Sequence, residues 1–171
     1  MKRRILALIA VLALVGVFIP AIVFATDTGT VTCTVSSIPV LVSVNVTDGN
    51  VTYGSLALGA NITTIALNDT QTARNNGNVV EDFIIRSSNA TRTAGTNWTL
   101  VSTPPGNNQF NHQVSVNQGS SWISMNVSPY FAMDVAVNGS QTFDLRITMP
   151  GSTTDYLEHT ITVTIIAVQH S

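Results

Sequence analysis

Alternation is the feature that most restricts what this chain can become. Along Pro39–Val46 the residues Val40, Val42, Val44 and Val46 recur on one side. Along Thr142–Thr148, Phe143, Leu145 and Ile147 take one side and Asp144, Arg146 and Thr148 the other. The last such stretch, Tyr156–Val168, aligns Leu157, Ile161, Val163, Ile165 and Ala167. A period of two is the period of a strand with one face buried, and no window sustains the 3.6 period of a helix. Two turns are specific. Asp48-Gly49 separates Pro39–Val46 from Val51-Thr52-Tyr53, and Asn138-Gly139 separates Val135-Ala136-Val137 from Thr142–Thr148. Asp, Asn and Gly tolerate the positive φ of tight turns, so both predict hairpins. Weaker strand signals cover Thr30–Ser36, Ile62–Leu67, Val79–Arg86, Trp98–Val101, Phe110–Val116 and Trp122–Met125. Asn75-Asn76-Gly77-Asn78 is a turn and Pro104–Asn108 a loop. The expected fold is all-β: eight to ten strands in one antiparallel β-sandwich, with a closed barrel as the alternative.

The first 25 residues read differently. Met1-Lys2-Arg3-Arg4 is cationic, Ile5–Ala25 is unbroken apolar sequence, and Val23-Phe24-Ala25 resembles a signal-peptidase site. That is the layout of an N-terminal hydrophobic signal helix. An uncleaved anchor is the alternative, since the run is near the ~20 residues that span a bilayer. In both cases the basic end stays inside and the remainder is exported. The expected organisation is therefore 1–25 signal peptide or anchor and 26–171 a single domain, secreted or at the cell surface, touching membrane only through an uncleaved N-terminal segment.

Removing Lys2, Arg3 and Arg4 leaves four arginines against nine carboxylates, a charge of −5 with no lysine. Such a chain has no electrostatic means of holding a phosphate backbone, which argues against nucleic acid as a partner. Abundant Val and Ile argue against disorder, although only 9% of residues are charged. Cys33 is the one cysteine, so no intrachain disulfide forms. It reads as a small half-buried strand residue or as a link between two chains.

Catalytic patterns are not evident. His112, His159 and His170 lie near no strained Ser turn, and His112 shares a strand face with Phe110, Val114 and Val116. It reads as a half-buried, satisfied histidine. Three scattered histidines and one cysteine match no zinc spacing. Glu81-Asp82 and Asp155…Glu158 lie near expected loop edges but outside any D-x-D-x-D-G calcium loop. No enzyme, metal or cofactor is expected. Trp122 and Tyr130 are the candidate ligand-binding aromatics, able to form a platform for sugars or a partner surface; the competing reading of a large aromatic is core filling.

Eight Asn-x-Ser/Thr sequons begin at Asn45, Asn50, Asn61, Asn68, Asn89, Asn97, Asn126 and Asn138. With 15 Asn and 38 Ser plus Thr among 171 residues, chance gives about 3. They are candidate glycosylation sites, and Asn- and Thr-rich turns also generate sequons unaided.

Tyr53-Gly54-Ser55-Leu56-Ala57-Leu58-Gly59, followed by Asn76-Gly77-Asn78, resembles the "aromatic-Gly-x-aliphatic-x-x-Gly … Asn-x-Gly-Asn" pattern of Ig-like modules on prokaryotic cell surfaces. Asp82–Arg86 followed by Asn97-Trp98-Thr99-Leu100 resembles the first Trp-x-Leu motif of WxL-type surface proteins, with Trp98 and Leu100 in the motif positions. The second motif of that family is absent; Thr162-Val163-Thr164-Ile165 stands in its place. The resemblance implies an Ig-like sandwich and a surface location. Two functions are then expected: a structural or adhesive protein acting through assembly, with other protein subunits or its own copies, or a module binding a carbohydrate or another cell-surface polymer. In the first, a segment such as Thr30–Leu41 and the sheet edges would supply pairing surfaces.

Overall fold

A computed structural model describes residues 32–102 and 104–171. The apolar N-terminal run and its cleavage site lie outside those residues. The chain divides into two units, Met1–Ser37 and Ile38–Ser171. In the first, Thr32–Ser37 is exposed and carries no strand. The expected strand over Thr30–Ser36 is therefore absent from its described part, and Cys33 is exposed rather than half-buried.

The second unit holds ten strands: β1 (Val44–Thr47), β2 (Asn61–Thr63), β3 (Gln71–Asn75), β4 (Glu81–Ser87), β5 (Thr99–Leu100), β6 (Gln109–Ser115), β7 (Ile123–Ser124), β8 (Tyr130–Val135), β9 (Ser140–Thr148) and β10 (Val163–Gln169). They form two sheets. The larger runs β1-β3-β9-β6-β5, with β2 paired to β9 and β7 to β6; the smaller runs β10-β4-β8. The all-β expectation holds. Pairing is antiparallel except between β5 and β6, which run parallel, Thr99 opposite Gln109.

Alternation places the core. Ala73 on β3, Phe83 and Ile85 on β4, Val114 on β6, Phe131 and Val135 on β8, and Phe143 and Leu145 on β9 join one buried cluster, so both sheets feed the same interior. Val163, Ile165 and Ala167 of β10 pack against it, as their spacing predicts. Leu157, expected on the same face, is exposed because its segment is not strand. A second cluster gathers Ala90, Trp98, Phe110 and Ile147.

Both hairpin expectations need correction. Asp48 and Gly49 do take positive φ, 71° and 70°, but Val51–Tyr53 forms no strand and β1 pairs instead with β3, Val44 opposite Asn75. The turn is closed by Gln71, whose Oε1 accepts from the Gly49 N–H at 3.0 Å. Asn138-Gly139 likewise turns, with Asn138 at φ 63°, yet β8 belongs to the small sheet and β9 to the large one. The turn is a corner between sheets. Asn75 pins it: its N–H donates to the Gly139 carbonyl at 2.9 Å and its carbonyl accepts from the Asn138 N–H at 3.1 Å.

Ile62–Leu67 is not one strand. β2 stops at Thr63, and Thr64–Leu67 forms a single helical turn, α1. Thr63 caps it by accepting the Ala66 N–H at 3.2 Å, and Asn68 ends it at φ 54°. A side-chain cap satisfies a donor that the strand ladder no longer serves. Buried Thr64 ties the turn to β9, accepting the Leu145 N–H at 2.9 Å and donating to Asp144 Oδ1 at 3.2 Å. Asp144, expected on the wet face, is therefore buried, and Thr70 donates to the same oxygen at 2.6 Å.

Candidate functional site

Trp98 and Leu100, the motif residues, meet in the second cluster. Trp98 is 6% exposed. Its indole N–H donates to Thr153 Oγ1 at 3.0 Å. The His159 ring stacks on it, centroids 3.9 Å apart and planes at 24°. His159 is not in a strand; its Nδ1 and Nε2 face the carbonyls of Leu157 and Thr96 at 2.7 and 2.8 Å. Beside it Arg92 Nη1 reaches both oxygens of Asp155, at 2.7 and 2.9 Å, and the Thr96 N–H donates to Asp155 Oδ2. Burial works to raise the Asp155 pKa, but the Leu157 and Thr96 N–H groups and Arg92 outweigh it and hold the carboxyl below its ordinary value. These contacts fasten the loops around Trp98 to one another.

Trp122 and Tyr130 stand on different sheets. Trp122 precedes β7 and is half-buried; the Arg146 guanidinium lies 4.6 Å from its ring centroid and bonds Gln113 Oε1 through Nε at 2.9 Å. Gly119 leaves room for the indole, since a Cβ there would come within 3.3 Å of it. Tyr130 opens β8 opposite Ile84 and is 53% exposed.

His112 is fully buried, deeper than its strand pattern indicated. Tyr53 Oη meets its Nε2 and Ser87 Oγ its Nδ1, both at 2.8 Å. Hydroxyls both donate and accept, so either neutral tautomer satisfies both contacts. Burial lowers the ring's pKa to about 3. Burial, then the charge of Asp69, raises that of the Tyr53 phenol. Of the three only His112 is fully buried, Tyr53 and Ser87 being half-buried, and their contacts tie β4 and the Val51–Tyr53 segment to β6.

Of the carboxylates expected at loop edges, Glu158 is exposed, and the buried Oε2 of Glu81 has no hydrogen-bond partner among the described residues. Glu81 and Asp82 begin β4 and are buried, not at a loop rim. Glu81 Oε1 accepts the Ser43 N–H at 2.7 Å, and Asp82 Oδ1 accepts the Asp134 N–H and contacts His170 Nδ1, each at 2.8 Å. The Asp134 N–H, more than His170, draws the Asp82 pKa down. Among the described residues no group of three His, Cys, Asp or Glu side chains converges for a metal.

The sheet borders differ from one another. Those of the large sheet are short: β1 has four residues, β2 three, β5 and β7 two each. In the small sheet, β8 shifts register twice against β4 and has Asp134 at φ 57°. β10 is unlike these. Seven residues, Val-Thr-Ile-Ile-Ala-Val-Gln, pair with β4 in unbroken register from Val163 opposite Ser87 to Gln169 opposite Glu81. It contains no charge, proline, glycine or bulge, and among the described residues no strand pairs with its other side. Short length, bulges, charges and prolines are the usual protections of an edge, and β10 lacks all of them. Strand spacing alone could have located β10, but not that it would be outermost.

No family model, curated protein or solved structure matches this chain.

Proposed function

We propose that this is a non-enzymatic exported protein of the cell surface, structural or adhesive, whose Ig-like sandwich works by assembling with further subunits. The β10 edge carries the reading: a regular, uncharged, seven-residue strand with an open side offers a ladder of N–H and C=O groups to an incoming strand. A complementary strand is available within the chain. Thr32–Leu41 is exposed along its length, Val35, Ile38, Val40 and Leu41 included, and Asn78 anchors its end, donating Nδ2 to the Pro39 carbonyl and accepting the Leu41 N–H on Oδ1. Two sheets sharing one interior, largely antiparallel and joined by an inter-sheet corner, support the sandwich description.

Analytical ultracentrifugation of the mature protein over a wide concentration range, with electron microscopy of the most concentrated sample, tests this. Concentration-dependent oligomers or filaments are expected; a monomer throughout overturns the reading.

A further inference from the structure

We infer that the eight sequon asparagines are N-glycan acceptors; this rests on the export proposed above. Three observations converge. Asn45, Asn50, Asn61, Asn68, Asn89, Asn97, Asn126 and Asn138 are all exposed. The two buried asparagines, Asn75 and Asn111, are both outside sequons. The decisive one concerns a single atom, Nδ2, which is the atom a glycan would take. Five of the seven asparagines outside the sequons employ it: Asn75 donates to Val79 and Val135, Asn78 to Pro39, Asn108 to Thr154, Asn111 to Val101 and Asn117 to Ser121. Among the described residues, Nδ2 of none of the eight sequon asparagines donates to the protein.

Where a sequon side chain is used, it is used through its oxygen. Asn89 Oδ1 accepts the Leu100 N–H at 3.0 Å, Asn97 Oδ1 the Arg92 N–H at 3.4 Å, and Asn138 Oδ1 an Arg74 N–H at 3.2 Å. Glycan transfer respects that division. A bond forms between Nδ2 and the anomeric carbon of an oligosaccharide carried on a lipid phosphate. The bond from that carbon to the phosphate oxygen breaks, the lipid phosphate departs with the electron pair, and Nδ2 gives up one proton. The product keeps Oδ1 and one N–H, so no hydrogen bond of the fold is lost at any of the eight positions. Exposure does not by itself free Nδ2, since Asn78 and Asn117 are exposed and engage it; Asn76 and Asn107, exposed and without an Nδ2 partner among the described residues, lack only the sequon.

The sugars would also be unevenly placed. Asn45 lies on β1, and Asn126 and Asn138 lie on either side of β8, whereas no sequon falls on β10 or β4.

Glycopeptide mass spectrometry of the protein from its native cells, before and after chemical deglycosylation, tests the inference. Glycan mass is expected on most of the eight and on none of Asn76, Asn78 and Asn107. In full-length variants, Asn50→Gln and Thr52→Ala should each remove one glycan mass, and Thr52→Ser should retain it, because the sequon needs the hydroxyl. Glycan on a minority, on none, or equally on asparagines outside the sequons overturns the inference. Cell fractionation and the N-terminal peptide separate the two readings: an exported chain with bare asparagines overturns glycosylation alone, and a bare chain in the cytosol with residues 1–25 attached overturns both.

Discussion

The imidazole of His159 lies flat on the indole of Trp98, 3.9 Å between ring centroids, while the indole N–H is held from the far loop by Thr153. The motif tryptophan is thus gripped on its face and at its nitrogen. Trp98→Ala should destabilise the protein by about 3–5 kcal/mol in urea denaturation, as large-to-small aromatic substitutions in a core do. Thr153→Val keeps the volume and strands the indole N–H, for about 1–3 kcal/mol. A loss below 1 kcal/mol for Trp98→Ala would show the ring to be peripheral.

Acid should weaken the fold through His112. In the unfolded chain this ring protonates near 6.5; in the fold, burial lowers its pKa to about 3. The unfolded state therefore binds an extra proton between those values. The contribution of neutral His112 is complete above pH 6.5 and is lost as pH falls toward 3, at about 1.4 kcal/mol per pH unit. Denaturation midpoints across pH 3–7, with NMR titration of the ring, check this; a native-state ring that titrates near 6.5 contradicts it.

Asn75 should be among the least replaceable polar residues. Its amide donates to the carbonyls of Val79 and Val135 at 2.8 and 2.9 Å and its oxygen accepts the Gly77 N–H at 2.8 Å, all without solvent. Asn75→Ala leaves these groups unpaired, and each costs about 1–3 kcal/mol when buried. A fall in melting temperature of tens of degrees is expected. Asn76→Ala, on the exposed neighbour, should shift it by only a degree or two.

A lysine on the open edge should separate assembly from folding. Ile166 is 37% exposed on the face of β10 opposite Val163, Ile165 and Ala167, which pack on the core. Ile166→Lys should leave the circular dichroism spectrum and melting temperature nearly unchanged while abolishing the concentration-dependent species in ultracentrifugation. Persistence of those species would move the contact away from this edge.

Fold class was readable from the strand periods because a period of two survives wherever one face is buried: β4, β6 and β9 fall where alternation puts them, and β10 takes only the second half of Tyr156–Val168. Pairing was not readable. Asp48-Gly49 and Asn138-Gly139 favour positive φ, and Asp48, Gly49 and Asn138 adopt it, but a turn fixes only where the chain bends and not which sheet receives it. β3 escaped notice because Gln71, Thr72, Arg74 and Asn75 lend it a loop-like composition; its burial comes from hydrogen bonds rather than apolar area. The helical turn at Thr64–Leu67 depends on caps from Thr63 and Asn68 that a run of Ile, Thr and Leu conceals. At the surface, the eight Asn positions were explicit in the sequence, whereas the availability of Nδ2 at each required coordinates. The open side of β10 depends on every other strand being placed first.

Pairing β10 with β4 joins parts of the chain far apart in order; His170 meets Asp82 across 88 residues. The small sheet is therefore closed by a strand far along the chain from its partner, and until β10 docks the inner strand β4 has one flank bare. Distant closures of this kind slow folding and prolong the lifetime of sticky intermediates. A polypeptide truncated after Thr162 would present β4 to its neighbours in place of β10, so that truncation should yield aggregates rather than a smaller soluble protein.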